Sequence, residues 1–231
     1  LAISQYKKAL KADSNNVPTL FNLAQTFTKL SNTEHAIEYL LQVIQLEPSF
    51  TQARRQLIKI YLKKEKYISA LLHLKQLTKS NPNEIDSRIS IGKIYSKLGN
   101  FKLAIETLKP ISLSSPGNIQ AREILAEVFY QMGNLDHSIA EYRRILERNS
   151  DYLPAYIQLG WIYYRKGEFQ MATAWTKRGL KLGTRSSQLD SLASMNLGLY
   201  SWLRDDYVAA KKWYRKALVG GSDIILNGIL K

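Results

Sequence analysis

The chain has 231 residues, of which 33 are Lys or Arg and 19 are Asp or Glu, so its formal net charge is +14. It contains no cysteine, which excludes a disulfide framework and a zinc site built on thiolates. No uncharged apolar run reaches the roughly 18 to 20 residues that a membrane span needs. Twelve Gly and six Pro are few, which favours an all-helical protein with short turns.

The chain begins in the middle of a structural unit. Residues 1–16 have the apolar spacing of one helix followed by a turn-forming run that starts at Asp13. Because the sequence starts at Leu1 and no partner helix precedes this segment, we expect it to be a fragment of a longer protein. A further helix is predicted to start within residues 223–231 at the other end.

Apolar and small residues then recur every 34 positions, in a pattern typical of helix hairpins that stack on one another. A Leu or Ile is followed by a small residue, then by an aromatic, and later by a small residue in a second helix. The Leu or Ile site holds Leu23, Leu57, Ile91, Leu125 and Leu159, and the site after it holds Ala24, Ile58, Gly92, Ala126 and Gly160. The aromatic site holds Phe27, Tyr61, Tyr95, Phe129 and Tyr163. The small site of the second helix holds Ala2, Ala36, Ala70, Ala104, Ser138 and Ala172. A lone hairpin cannot bury both faces, so the pattern predicts a stack.

The period divides the chain into repeats at about 17–50, 51–84, 85–118, 119–152 and 153–186, with a sixth at 191–222 after about four extra residues. Several repeats depart from the pattern, among them 51–84, where Ile58 stands at a small-residue site. Pro110 falls inside a second helix, so we expect a kink or an early end near Lys109. In repeat 153–186, Thr176 and Gly179 stand where an aromatic and Ala are usual, with Trp175 one place early.

This pattern resembles that of the tetratricopeptide repeat family, in which a bulky residue, Leu-Gly, Tyr, Ala, an aromatic and Pro recur at this period. Pro48, Pro82 and Pro116 stand at the Pro site, and the resemblance covers nearly the whole chain. It implies an all-α, right-handed superhelical solenoid of antiparallel helix pairs. The first helix of each pair would line a concave groove and the second would lie outside. It also implies a binding scaffold and not an enzyme.

Few residues are available for catalysis or metal binding. His35 and His137 occupy equivalent sites three repeats apart, too far to share a metal, and we interpret them as surface residues. There is no His-Glu-x-x-His motif, and the glycines around Gly160 and Gly167 lack the Lys and Ser/Thr of a phosphate-binding loop. We therefore expect no catalytic site, cofactor or metal.

Basic residues are unevenly distributed: residues 51–84 hold 8 basic and 2 acidic side chains, whereas 119–152 hold 4 and 6. Lys29, Lys63 and Lys97 lie one period apart, and equivalent sites in stacked repeats form ridges. The resemblance places a second row, Lys59 and Lys93 joined by Arg55, in the groove, and aromatic residues follow toward the C-terminus. We expect Trp161, whose offset in the repeat matches that of Lys59 and Lys93, to be an exposed anchor, and we interpret Tyr130 and Trp202 as packed between neighbouring first helices. The candidate groove residues are Asn22, Gln25, Arg55, Lys59, Lys63, Lys93, Lys97, Glu127, Trp161, Tyr164 and Arg165.

Several functions remain open at this point. The lysines either form a cationic channel for an extended or helical acidic segment of a partner protein, or they are ordinary helix-forming residues on a solvated face. The basic composition also allows an RNA-binding helical repeat, although the code positions of such proteins are not reproduced here. A regulatory or targeting segment of a larger enzyme is a third possibility. The composition favours a soluble protein, cytoplasmic or exported, of undetermined oligomeric state.

Overall fold

The computed structural model describes residues 2–182 and 187–219, and all regular secondary structure in these ranges is helical. The helices are α1 (Ala2–Ala12), α2 (Val17–Lys29), α3 (Thr33–Leu46), α4 (Thr51–Lys63), α5 (Tyr67–Ser80), α6 (Ile85–Lys97), α7 (Phe101–Ser114), α8 (Ile119–Gln131), α9 (Leu135–Arg148), α10 (Leu153–Arg165), α11 (Phe169–Lys181), α12 (Ser187–Trp202) and α13 (Tyr207–Val219). The helix predicted within 223–231 lies outside the described ranges. Residues 183–186, just before the predicted extra residues that interrupt the 34-residue period, also lie outside them.

The chain divides into an N-terminal unit, Leu1–Leu103, and a C-terminal unit, Ala104–Lys231; α7 crosses the boundary. The first helices α2, α4, α6, α8 and α10 begin 34 residues apart, and so do the second helices α3, α5, α7, α9 and α11. Helices adjacent in sequence pack together, α1 to α6 in the first unit and α8 to α13 in the second. The predicted all-α fold of stacked helix pairs is confirmed.

Asparagine side chains begin several of these helices. Asn16 and Asn118 each accept a hydrogen bond from a backbone N–H at the start of a first helix, and Asn32 and Asn134 do the same for second helices. An N-cap of this kind satisfies one of the backbone donors that a helix start leaves without an intrahelical partner. The short turns of the repeat therefore end in defined helix starts.

The turn between the two helices of a repeat uses left-handed backbone at one equivalent site. Gly99, Gly133 and Gly167 have φ between 73° and 78°. In three other repeats the same site holds Ser31, Glu65 and Asp205, also with positive φ. Only glycine adopts this conformation without steric strain, so the latter three residues carry a conformational penalty.

This difference predicts opposite effects of two substitutions. Gly133→Ala should destabilise the C-terminal unit by about 1 kcal/mol, because a Cβ in left-handed backbone is strained even though open space surrounds Gly133. Glu65→Gly should stabilise the N-terminal unit by a similar amount. Urea denaturation followed by circular dichroism measures both changes. Destabilisation by Glu65→Gly would contradict this explanation of the turn.

The expected early end near Lys109 is wrong, because α7 continues to Ser114. Pro110 removes the N–H that would bond the carbonyl of Glu106, four residues earlier. Both residues are exposed, so water can bond that carbonyl. The following turn is anchored by Ile111, which is buried in the core. The penalty of a helical proline is therefore reduced here by its solvated position, and a kink remains a prediction.

Candidate protein-interaction surfaces

In the N-terminal unit, four lysines of the predicted groove are exposed on first helices: Lys59 and Lys63 on α4, and Lys93 and Lys97 on α6. They occupy two pairs of equivalent sites, one period apart. Within the described ranges, none of these ammonium groups forms an ion pair. We call these four residues the lysine surface. Their charges are available to an anionic partner, since no carboxylate of the described chain neutralises them.

A pocket of about 320 Å³ lies beside Lys59 and Lys63, between α4 and the end of α2. Ile60 contributes to its lining, and so does Thr28 from the preceding repeat. The remaining lining residues are Ser31, Thr33, Gln56 and Lys64. An apolar floor next to two cationic head groups suits a partner segment that combines aliphatic and acidic side chains.

Arg55, which the sequence places in the same groove, has a carboxylate partner in the structure. Its guanidinium forms an ion pair with Glu84, the residue just before α6. The Glu84 carboxylate is shielded, with 13% of its side chain exposed, whereas 53% of the Arg55 side chain is exposed. Arg55 therefore joins consecutive first helices as well as presenting a face to solvent.

The same junction, between a first helix and the residue 29 positions later, is filled differently in other repeats. Phe21 contacts Phe50, with ring centroids 4.9 Å apart. The Tyr152 hydroxyl donates to Glu123 at 2.8 Å, and burial together with this hydrogen bond raises the pKa of Tyr152 to about 12. An aromatic pair, an ion pair and a hydrogen bond thus each join consecutive first helices at equivalent positions.

A further ion pair joins the start of a second helix to the end of the next first helix. Lys64 pairs with Glu34, and at the equivalent sites Lys166 donates to Asp136 at 2.8 Å. These hydrogen bonds lower the pKa of both carboxyls and raise the pKa of Lys166. Because the carboxylates are exposed, we assign these pairs little stabilising energy.

Of the other N-terminal groove candidates, Asn22 is exposed on α2 and Gln25 is half-buried. The Asn22 backbone carbonyl accepts a hydrogen bond from the Thr26 hydroxyl at 2.8 Å.

In the C-terminal unit, three of the candidate groove residues form one connected cluster with Tyr130. We call this cluster the aromatic platform, and its members are Tyr130, Trp161, Tyr164 and Arg165. The Tyr130 hydroxyl accepts hydrogen bonds from Trp161 Nε1 at 2.8 Å and from Arg165 at 3.0 Å. The Arg165 guanidinium also lies over the Tyr130 ring, 5.4 Å from its centroid, and the Trp161 and Tyr164 rings are 5.0 Å apart. Trp161 was predicted as an exposed anchor and is half-buried.

The other candidate and aromatic residues of the C-terminal unit differ in character. Glu127, one period before Trp161, accepts a hydrogen bond from Gln131 at 2.7 Å. Tyr164 stacks on the buried Tyr200 of α12, with centroids 5.5 Å apart. Trp202, which sequence reasoning interpreted as packed, is 52% exposed. Rigid aromatic rings with a fixed guanidinium have the composition of binding hot spots.

A second set of paired residues was not found from the sequence. The fourth residue of three first helices donates to a backbone carbonyl six residues earlier: Arg54 to Pro48 at 2.9 Å, Arg122 to Pro116 at 3.1 Å, and Tyr156 to Ser150 at 2.8 Å. Each of the three also contacts the side chain 19 residues later in the second helix. These partners are His73, Glu141 and Trp175. Their positions recur in register, but their residue types differ, so no repeated residue in the sequence reveals them.

The histidines at the helix starts have structural contacts. His35 and His137 are exposed, and each ring nitrogen Nδ1 lies within 3.0 Å of the capping Asn oxygen. Each ring also packs on an aromatic residue, Phe27 or Phe129. Among the described residues, no group of three or more His, Asp or Glu side chains is arranged to hold a metal ion. Nor is any helix within the described ranges both long and apolar enough to cross a bilayer.

Solved structures with similar folds include tetratricopeptide repeat proteins. The C-terminal part of a TPR repeat-containing protein from Cytophaga hutchinsonii aligns with a TM-score of 0.75 at 14% identity, over 99% of this chain and 93% of that one. A tetratricopeptide repeat protein from Parabacteroides merdae gives 0.68 at 16% identity, over 99% and 89%. YrrB, described as a TPR protein with an unusual peptide-binding site, gives 0.60 at 19% identity, over 81% and 95%. At these identities the likeness establishes the fold alone.

Sequence models identify the family. The tetratricopeptide repeat matches residues 17–50 in one model and residues 89–154 and 125–186 in another. These matches together span more than half of the chain, whereas the comparison with curated proteins found no match. The matched segments coincide with the helix pairs α2–α3 and α6–α11 apart from the first residues of α6. The chain belongs to the tetratricopeptide repeat family.

Proposed function

We propose that the chain binds an acidic, extended or helical segment of a partner protein along its first helices. Membership of the tetratricopeptide repeat family supports a general role as a protein-interaction scaffold, and such proteins are in general not catalysts. The observation that carries the finer proposal is the lysine surface: four exposed ammonium groups in repeat register, none of them ion-paired within the described ranges.

Charge and shape both support this partner chemistry. Unpaired ammonium groups attract carboxylates over a long range and can form charge-assisted hydrogen bonds with them. The pocket beside Lys59 and Lys63 adds an apolar contact through Ile60. In the C-terminal unit, Arg165 bonds to the neutral hydroxyl of Tyr130 and stacks on its ring. No carboxylate in the described ranges forms an ion pair with Arg165, so its charge is available to an acidic segment bound to the C-terminal unit.

The test is a binding measurement with a fluorescent peptide of twelve residues rich in Glu and Leu. We expect the double variant Lys59→Glu plus Lys93→Glu to weaken binding about ten-fold or more at low salt, a change of about 1.4 kcal/mol, because both substitutions repel the peptide. The same peptide with Gln in place of Glu should bind weakly to both proteins. Fluorescence anisotropy measures all four affinities.

A matched control separates a site effect from a change in net charge. Lys79→Glu plus Lys102→Glu alters the charge equally, but both residues are exposed on second helices of the N-terminal unit. This control should retain most of the affinity. Equal loss in both double variants would reject the lysine surface as the site. Tighter, strongly salt-dependent binding of single-stranded RNA than of the peptide would favour nucleic acid as the partner instead.

A further inference from the structure

The Arg54 guanidinium is buried beside a histidine, and no carboxylate of the described residues forms an ion pair with it. Arg54 is 9% exposed, as is His73, and Arg54 Nη1 lies 3.4 Å from His73 Nδ1. The other guanidinium nitrogen, Nη2, donates to the Pro48 carbonyl at 2.9 Å. Since the guanidinium can only donate, His73 Nδ1 must be the acceptor, which requires a neutral ring with its proton on Nε2.

The C-terminal unit contains the same junction with its charge balanced. Arg122 stands two periods after Arg54, and its Nη1 donates at 2.8 Å to Glu141, two periods after His73. Both residues are buried. The two junctions share geometry and burial, so they differ chiefly in the group that faces the arginine. The Arg122–Glu141 pair is neutral as a whole, whereas Arg54 with neutral His73 is already a buried cation.

The surroundings of His73 offer no compensation for a second positive charge. On α4, besides Arg54, the Tyr61 ring stacks on the imidazole with centroids 5.8 Å apart. Burial raises the pKa of Tyr61, so its hydroxyl stays neutral near neutral pH. No acidic group from α3, α4 or α6 forms an ion pair or hydrogen bond with His73 in the described part of the chain. Protonated His73 would therefore face Arg54 alone.

We propose that Arg54 and His73 form an acid-sensitive junction, at which proton uptake by His73 places two cations side by side and loosens the packing of α5 on α4. Since α4 carries Lys59 and Lys63, acidification would also weaken peptide binding at the lysine surface. That second step rests on the proposed function, whereas the first depends on the fold alone.

The direction of the pH effect follows from linkage. Burial and, second, the charge of Arg54 hold the pKa of His73 below its ordinary value of 6.5. The folded N-terminal unit therefore binds fewer protons than the unfolded chain at pH values near and below 6.5. The contribution of neutral His73 to the stability of the folded N-terminal unit is fully present above pH 6.5. It is lost progressively as the pH falls toward the lowered pKa of His73 in the folded state.

His73→Glu tests the proposal, because it copies the Arg122–Glu141 arrangement into the N-terminal unit. Between pH 7.5 and 5.5 we expect the urea midpoint of the parent protein to fall, and that of His73→Glu to fall much less. His35→Gln removes an exposed histidine and should behave like the parent. Amide hydrogen exchange should place the acid-induced loss of protection in α4 and α5. Equal falls in the parent and in His73→Glu would overturn the proposal.

Two further measurements cover the remaining outcomes. If His73→Glu does not fold, His73→Gln keeps a neutral acceptor for Arg54 and should also be insensitive to acid over this range. The imidazole proton shift of His73 in NMR spectra should titrate below pH 6.5, and titration at or above 6.5 would contradict the junction. If His73→Glu loses the acid sensitivity but the parent protein does not bind the acidic peptide, the proposed function is rejected and the acid-sensitive junction is still supported.

Discussion

Glu141→Ala is expected to destabilise the C-terminal unit by about 3–5 kcal/mol, the largest effect of any single substitution discussed for this chain. Glu141 accepts from the buried Arg122 at 2.8 Å and also forms an ion pair with Arg144. The Arg122 guanidinium is further held by the carbonyls of Pro116 and Ser112, at 3.1 and 2.9 Å. Without the carboxylate, an uncompensated cation would remain in the core, held only by neutral acceptors.

The expected loss of stability is large because Glu141→Ala removes only one partner and leaves the charge of Arg122 buried. The attraction within the ion pair is not itself the main contribution. Buried ion pairs offset much of their attraction by desolvation, so replacing both partners together is far less harmful than removing one. The chain itself supplies a replacement, because Tyr156 and Trp175 fill the equivalent positions in the next repeat with ring centroids 5.9 Å apart. The double variant Arg122→Tyr plus Glu141→Trp should recover most of the lost stability.

Urea denaturation of the parent, Glu141→Ala and the double variant measures these differences. Glu147→Ala is the matched control, since Glu147 is exposed on the same helix, α9, and its removal should change the unfolding free energy by less than about 0.5 kcal/mol. A loss below about 1 kcal/mol for Glu141→Ala would mean that water reaches Arg122 and replaces the carboxylate.

The repeat columns could be predicted from the sequence because they are filled by one kind of residue. Leu23, Leu57, Leu125 and Leu159 are fully buried, and so are Ala36, Ala70, Ala104 and Ala172. Apolar side chains of fixed size at a fixed period leave few ways to pack. The 34-residue spacing of the helix starts follows directly from these columns.

The junctions between helices could not be predicted in the same way, because they keep their positions while their chemistry changes. Arg54 with His73 and Tyr156 with Trp175 share no residue type, so neither pair forms a column. Trp175 stands one place early relative to the family pattern because that place faces Tyr156. Gly179 replaces the usual Ala for the same reason, since a Cβ there would lie 2.6 Å from the Tyr156 Cβ.

The positions of the lysine surface could be indicated from the sequence, whereas its role in binding stays a prediction. Register correctly indicated which lysines are exposed on first helices, because a helical period fixes the face of a residue. It could not indicate that Arg55 is paired with Glu84, which is 29 residues away and belongs to the same repeat. Nor did it reveal that Tyr130 holds both Trp161 and Arg165 through its hydroxyl, since hydrogen bonds between neighbouring repeats leave no periodic signal.

Gly160→Ala is expected to destabilise the C-terminal unit by about 1–3 kcal/mol, although alanine is the better helix former. A Cβ at this position would overlap the Thr176 hydroxyl and lie 3.1 Å from the Ala172 carbonyl. Thr176 is fully buried, and its hydroxyl is held by a 2.9 Å hydrogen bond to that same carbonyl. The side chain therefore cannot rotate away without giving up this hydrogen bond, and otherwise α10 and α11 must separate slightly.

A double-mutant cycle tests whether this single contact is responsible. Thr176→Ala removes the overlapping hydroxyl, so Gly160→Ala should be much less harmful in the Thr176→Ala background than in the parent. Urea denaturation of the four proteins gives the coupling energy, which we expect to be about 1 kcal/mol or more and favourable. Additive effects would show that the Ala172 backbone, and not Thr176, limits the approach of the two helices.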